Sequence, residues 1–262
     1  MVKKIKQPKI GLALGSGAAR GLAHIGVLKV LERNNIPIDY ISGSSIGAVV
    51  GALYSATRNI AEIEKIITSA DWRLYLSLVD PAMPGGFIRG NKIRKFLAKF
   101  LGVASFKDLK IPLVISTTDF QTGQAVFIEK GNLIDAIMAS GAIPLVFQPA
   151  KIGGRLLADG GLSSPVPVAP LRQMGADKVI AVNLDADYFS SQKEKFSVGG
   201  TALQTIRLLR YHLAARDSAE ADVVIAPKVG GLMGYSFLAG KRTVKDGEKA
   251  AQKVLPKIKK LI

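Results

Sequence analysis

The apolar positions of this chain form short unbroken runs that alternate with stretches of helical period. The run over residues 9–14 predicts a buried strand, and a glycine-rich loop over residues 15–21 and a helical pattern over residues 22–33 follow it. A second stretch, residues 38–47, begins as an apolar strand, ends in a corner of small residues and leads at once into a helical pattern. Because a right-handed crossover places the carboxyl ends of parallel strands at one edge, the two connections are expected side by side in an α/β fold.

The rest of the pattern predicts more strands and helices of the same kinds. Further strands are expected over residues 112–118, 124–128, 155–158, 178–184 and 222–226, the first two of these as a hairpin. Further helices are expected over residues 60–70, 91–101, 132–139, 165–174, 201–216 and from 246, where Pro256 should kink or break the helix. With no repeat and no low-complexity linker, residues 1–262 are interpreted as a single domain, with a core over about 10–226 and a basic helical segment over about 236–262.

The second strand ends in a corner of small residues with Ser45 at its apex. Gly43 and Gly47 flank this serine at the spacing of a nucleophile elbow, in which a tight turn presents a hydroxyl to substrate. Glycines at these two positions allow strand and helix to approach closely. The alternative is an ordinary strand-to-helix turn with a capping serine, and the motif by itself leaves both open.

The glycine-rich loop after the first strand has three uses to weigh. A dinucleotide-binding loop would need its third glycine at Arg20, whereas Gly21 comes one residue late, and the Gly-Lys-Ser/Thr ending of a P-loop is missing. The third use is an oxyanion hole, in which backbone N–H groups of small residues converge on one oxygen. Its candidate residues are Gly15, Ser16, Gly17, Ala18 and Ala19. Arg20 is expected to hold this loop or an anionic headgroup.

A carboxylate stands at a third glycine-rich turn. The apolar run ending at Ala158 delivers Asp159 to the pair Gly160 and Gly161. Aspartate before two glycines is commonly a turn residue. The same position at a strand end also suits a general base, and the residues alone leave both interpretations open.

In this order and spacing, the three motifs resemble those of the patatin-like phospholipases over about residues 10–226. The segment over residues 140–144 also resembles the one that precedes the family's aspartate. The resemblance implies a three-layer α/β/α fold with a mostly parallel central sheet, and hydrolysis of phospholipids or other lipid acyl esters without metal or cofactor. It implies Ser45 as nucleophile, Asp159 as base, and an oxyanion hole around Gly15, Gly17 and Ala18. The family's run of three adjacent glycines reads Ser16-Gly17-Ala18 here, so the N–H groups remain but two Cβ atoms restrict φ.

A histidine triad is the rival mechanism. Ser45, Asp159 and His212 follow the chain order of ordinary α/β-hydrolases. His212, however, lies inside a predicted helix rather than in a loop after a late strand. The other histidine, His24, lies one turn into the first helix and is interpreted as a packing or capping residue. The serine–aspartate dyad is therefore favoured.

Composition limits the remaining choices. With 36 Lys and Arg against 20 Asp and Glu, the formal charge is +16, which favours anionic partners such as phospholipid headgroups or nucleic acid. Sparse aromatics, at 6%, and the lack of a recognisable module argue against nucleic acid. There is no cysteine, and the sequence shows neither a signal peptide nor an apolar membrane span, so a soluble, cytoplasmic protein is expected.

Membrane contact is a further hypothesis, based on this charge and on residues 81–101. Breakers and the apolar residues Met83, Phe87 and Ile88 precede a basic amphipathic helix over residues 91–101. This region is interpreted as a lid, as a surface lying on the inner face of an anionic membrane, or as an ordinary loop and a helix packed on the core. A thioesterase, or a non-catalytic regulatory or adaptor protein on the same fold, remains the alternative function.

Overall fold

The computed structural model describes residues 7–68, 81–82, 87–88, 90–144, 146–187, 189, 198–229 and 240–262. Ten strands occur in these ranges. They are β1 (Ile10–Leu14), β2 (Tyr40–Ser44), β3 (Pro81–Ala82), β4 (Phe87–Ile88), β5 (Leu113–Asp119), β6 (Ala125–Ile128), β7 (Ala150–Ile152), β8 (Arg155–Asp159), β9 (Lys178–Val182) and β10 (Val223–Ile225).

The main sheet has the order β10-β9-β1-β2-β5-β8-β7, with β6 also paired to β5. Strands β10, β9, β1, β2 and β5 are parallel neighbours, while β6 and β8 pair antiparallel with β5, and β7 pairs antiparallel with β8. Strands β1 and β2 lie next to each other with Leu14 opposite Gly43, so the glycine-rich loop and the elbow both leave the same edge. The predicted α/β fold with a mostly parallel sheet is confirmed.

Helices cover both faces of this sheet. They are α1 (Leu22–Arg33), α2 (Ile46–Thr57), α3 (Ile60–Thr68), α4 (Asn91–Leu101), α5 (Leu133–Ser140), α6 (Ala169–Gln173), α7 (Val198–Ser218) and α8 (Gly240–Ile258). Alternate residues of β1 point to opposite sides, so Leu12 joins the larger core while Ala13 joins a second one. Leu171 of α6 and Ala214 of α7 belong to that second core.

Helix α8 crosses α1 at backbone contact. A Cβ on Gly26 would lie 1.9 Å from the carbonyl oxygen of Val244, and one on Gly247 would lie 2.0 Å from that of Ala23. The sequence predicts that this helix starts at residue 246, because the pair Asp246-Gly247 is typical of a turn. That start is wrong, since the helix begins at Gly240. Gly247 instead lies within the helix, where it permits this approach, and the helix continues through Pro256 to Ile258.

Two other expectations change. The helix predicted over residues 165–174 begins only at Ala169. The carbonyl groups of Pro165 and Pro167 instead accept hydrogen bonds from Ser16 N–H and the Ser42 hydroxyl. Strand β7, not predicted, forms a hairpin with β8 through Gly153 and Gly154, both at positive φ.

Helix α4 packs on the core. Phe96 and Leu97 are buried against the larger core, whereas Arg94, Lys95 and Lys99 are exposed. Its apolar side is therefore already covered by protein. Ahead of it, Pro81–Ala82 pairs with Phe87–Ile88 as a two-stranded ribbon, and Met83 lies outside the described residues. Within the described ranges, every helix is too short or too polar to cross a membrane.

Candidate active site

Ser45 occupies a strained turn between β2 and α2. Its φ of 55° and ψ of −120° are unusual for a residue with a side chain, and such backbone costs about 1–3 kcal/mol. The two flanking glycines are sterically required. A Cβ on Gly43 would lie 2.5 Å from the Gly47 carbonyl oxygen, and one on Gly47 would lie 2.1 Å from that of Leu14. The chain therefore has the strand, turn and helix of a nucleophile elbow.

Sheet register brings Asp159 to this serine. Ser116 of β5 pairs with both Ser44 and Phe127, and Thr117 pairs with both Asp159 and Val126. Since β6 occupies one edge of β5 at both positions, β2 and β8 share the other edge. These two strands run in opposite directions and end head to head, which places the residue after Ser44 beside the last residue of β8.

The two side chains form a direct hydrogen bond. The Ser45 hydroxyl donates to Asp159 Oδ2 at 2.7 Å, and both residues are buried, with exposures of 6% and 5%. The second carboxylate oxygen, Oδ1, accepts the N–H of Gly161 at 2.7 Å. Both oxygens are thereby oriented, one toward the serine and one toward the backbone of its own turn.

The surroundings of Asp159 favour its protonated form. Burial raises the pKa of Asp159 above its usual range, and hydrogen bonds from Ser45 and Gly161 together with the charge of Arg210 offset only part of this. The turn is closely packed, since a Cβ on Gly160 would lie 2.2 Å from the Ser116 carbonyl oxygen, and little of Asp159 is exposed to solvent. A carboxylate so desolvated is a stronger base than one in water, and it can accept the serine proton during attack on an acyl carbon.

Neither histidine lies between serine and aspartate, because a hydrogen bond of 2.7 Å leaves no room for an imidazole. His212 is exposed on α7, with its ring against Tyr211. His24 is fully buried and its Nε2 lies 2.8 Å from the Gly15 carbonyl oxygen. Burial lowers the pKa of His24 to about 4, so its ring is neutral near pH 7 and donates from Nε2. His24 therefore holds the glycine-rich loop from beneath.

The glycine-rich loop lies beside the elbow. A Cβ on Gly21 would lie 2.2 Å from Ile46, the first residue of α2. The N–H groups of Gly15 and Ser16 donate to the carbonyl oxygens of Val182 and Pro165 at 3.1 and 2.9 Å. Those of Gly17, Ala18 and Ala19 meet no acceptor in the described part of the chain. Ala18, at one of the positions where the patatin-like phospholipases have glycine, is at a φ of 49°. The loop therefore accommodates a Cβ at this position, although the backbone is strained there.

Arg20 binds this loop from within the protein. It is 3% exposed and donates to the carbonyl oxygens of Gly17 and Leu184 and, at 2.6 Å, to Asp185 Oδ1. Of the two roles considered for Arg20, holding the loop fits this burial. Asp185 was not predicted from the sequence. Its position directly after the buried strand pattern of residues 178–184, at the carboxyl edge of the sheet, was the available signal.

Ser140, the last residue of α5, holds the backbone of the elbow. Its hydroxyl accepts the Ser45 N–H at 2.8 Å and donates to the Ser116 carbonyl oxygen at 2.6 Å. In the sequence, residues 140–144 were notable only because they resemble the segment before the aspartate in the patatin-like phospholipases. No role was predicted for Ser140. A hydroxyl within a helical pattern of small residues was the only sign of it.

The segments that contain the glycine-rich loop, Ser45 and Asp159 lie within a region that matches a known protein family. The sequence matches the family described as patatin-like phospholipase over residues 12–172. An uncharacterised NTE family protein of Mycobacterium tuberculosis is 42% identical over 185 residues, which cover 70% of this chain and 51% of that protein. Lysophospholipase NTE1 of Debaryomyces hansenii is 32% identical over 191 residues, covering 70% of this chain and 12% of that protein. The chain thus spans about half the length of the mycobacterial relative.

Solved structures with the same fold are more distant in sequence. VipD from Legionella pneumophila superposes with a TM-score of 0.61 at 14% identity, over 96% of this chain and 67% of that one. The type III effector protein ExoU gives a TM-score of 0.51 at 17% identity, over 97% of this chain and 53% of that one. At such identity these likenesses concern the fold alone.

Proposed function

Because the chain belongs to the patatin-like phospholipase family, we propose that it hydrolyses lipid acyl esters with Ser45 as nucleophile and Asp159 as general base. The observation that carries this proposal is the 2.7 Å hydrogen bond from a serine on a strained elbow to a desolvated carboxylate. Curated relatives named lysophospholipases support an acyl ester of phospholipid type as substrate.

The proposed reaction has two steps through one covalent intermediate. Asp159 takes the proton of Ser45 as its oxygen attacks the acyl carbon, and then returns that proton to the leaving alcohol. Water next gives a proton to Asp159 as its oxygen attacks the acyl carbon. Asp159 then passes this proton to the Ser45 oxygen as the bond to the acyl carbon breaks, which releases the fatty acid and restores the serine. The N–H groups of Gly17, Ala18 and Ala19 are the proposed donors to the negative oxygen, because Gly15 and Ser16 already donate within the fold.

Covalent labelling tests the nucleophile. A fluorophosphonate probe is expected to modify wild-type protein at Ser45, with the adduct located by mass spectrometry of the peptide that contains it. Prior incubation with a lysophospholipid should slow the labelling if that lipid occupies the same site. An adaptor protein with an inactive site would leave the probe unreacted, and that result would reject the hydrolase in favour of the regulatory alternative.

We further propose a peripheral contact between α8 and an anionic membrane. Five exposed lysines follow one another at intervals of four residues along this helix and so form one ridge on its surface, namely Lys241, Lys245, Lys249, Lys253 and Lys257. The two acidic residues of α8 are partly buried, and each forms an ion pair: Asp246 with Arg242, and Glu248 with Lys29. Each lysine near an anionic surface contributes about 1 kcal/mol.

Replacing these five lysines by glutamine is expected to weaken binding to phosphatidylserine-containing vesicles at least about tenfold in a sedimentation assay. The matched control removes five other exposed lysines, namely Lys65, Lys107, Lys130, Lys151 and Lys228, and therefore changes the net charge equally. Both variants should hydrolyse a soluble aryl ester at the wild-type rate. Equal losses of vesicle binding in the two variants would mean that overall charge, not this ridge, drives the contact.

A further inference from the structure

Asp185 is a buried acceptor shared by two arginines. Arg20 Nη2 donates to its Oδ1 at 2.6 Å, while Arg210 Nε donates to Oδ2 at 2.8 Å and Arg210 Nη2 to Oδ1 at 2.9 Å. Asp185 is 2% exposed and Arg210 is 18% exposed. Burial opposes ionisation of Asp185, but the two guanidinium groups outweigh it and hold its pKa below its usual range. One negative charge therefore lies between two positive charges.

The Arg210 side chain passes over the turn that contains Asp159. A Cβ added to Gly161 would lie 3.1 Å from Arg210 Cδ and 2.8 Å from Asp159 Oδ1. Even so, the Nε and Nη2 atoms of this guanidinium are directed at Asp185. The cation is thus held close to the proposed base, while its two-point hydrogen bonding goes to another carboxylate.

Such an arrangement meets two opposing requirements of the base. A desolvated carboxylate ionises at neutral pH more easily when a positive charge is near. A direct two-point pair with arginine would occupy the carboxylate oxygens and weaken the base, because the proton of Ser45 needs one of them. A cation held beside the carboxylate, but bonded elsewhere, satisfies both requirements.

We propose that Arg210 is a positioning residue for the Ser45–Asp159 pair, and that Asp185 keeps its guanidinium near Asp159 without letting it bind there. The inference rests on the proposed function, since it concerns the same base. The charged groups that act on Asp159 are Arg210, which favours its ionised form, and Asp185, which opposes it. Through Arg20, the same carboxylate also joins the glycine-rich loop to α7.

The first test compares pH profiles of kcat/KM for a soluble aryl ester in wild type and Arg210→Gln. Loss of the positive charge should move the acid limb to higher pH, so the ratio of kcat/KM at pH 5 to that at pH 8 falls at least about threefold. Arg210→Lys retains the charge and should restore most of this ratio. The matched control Arg216→Gln removes the same charge from an exposed position of the same helix and should leave the profile unchanged.

Asp185→Asn gives a prediction of opposite sign. With its acceptor neutral, Arg210 can turn toward Asp159, so kcat should fall while the acid limb moves to lower pH. Thermal unfolding of each variant identifies any loss of fold. If Asp185→Asn does not fold, the pH profile of Arg210→Gln still tests the inference. An active wild type whose profile is unchanged by Arg210→Gln would overturn this inference alone. A wild type inactive on every ester would overturn the proposed function instead.

Discussion

Replacing Ser45 by alanine is expected to lower kcat/KM for an aryl ester of a medium-chain fatty acid at least about a hundredfold. The hydroxyl is the only group of Ser45 that forms a bond in the proposed reaction. The elbow backbone should persist, because Ser140 binds the N–H of residue 45 rather than its side chain. The measurement is initial hydrolysis rate against substrate concentration with purified protein, supported by thermal unfolding to show that the variant is folded.

A matched control lies one residue earlier. Ser44 is also buried, and its hydroxyl meets no hydrogen-bond partner in the described ranges. Ser44→Ala removes the same atom from the same corner and should retain activity within about threefold, because no proposed step uses it. Full activity in Ser45→Ala, or equal losses in the two variants, would contradict the assignment of Ser45 as nucleophile.

Asp159→Asn is expected to cause a similar loss, again at least about a hundredfold in kcat/KM. The amide matches the carboxylate in size, and its oxygen can still accept the Gly161 N–H, so the turn should remain. What disappears is the basic oxygen that is proposed to take the serine proton. Because an amide does not titrate in this range, raising the pH should not restore activity. The measurement is the pH profile of kcat/KM together with the rate of fluorophosphonate labelling at Ser45.

Asp39→Asn provides the comparison for this variant. Asp39 accepts the Ile10 N–H at 2.7 Å near the amino end of β2, the opposite end of the strand that delivers Ser45. Its replacement changes charge equally at a distance from the dyad and should leave turnover close to wild type. If Asp159→Asn kept its turnover, another group would have to accept the serine proton, and the dyad would be rejected.

The local pattern of apolar and polar residues was sufficient to predict most helices and strands of the fold. Helices α1 and α4 have the predicted bounds, and the strands around the glycine-rich loop and the elbow lie where the apolar runs place them. Periodicity and glycine spacing are local properties, so a single sequence can reveal them. Predictions were wrong over residues 165–168 and at Gly247, where tertiary contacts outweigh the local pattern.

Close packing against a distant segment explains the error at the C-terminal helix. Gly247 looks like a turn residue in the sequence, yet it allows α8 to touch α1 at Ala23. Likewise, the carbonyl of Pro165 is available to the Ser16 N–H only because its segment leaves the helical path. In both cases a partner far along the chain decides the local structure.

The sequence alone was enough to identify a serine at a small-residue corner, a glycine-rich loop after the preceding strand, and an aspartate before two glycines. Only the tertiary structure decided that Ser45 and Asp159, 114 positions apart, share a hydrogen bond, and that Asp185 lies between Arg20 and Arg210. The reason is that strand order and direction set which ends meet. Strands β2 and β8 end head to head along one edge of β5, and neither strand carries that information in its own sequence.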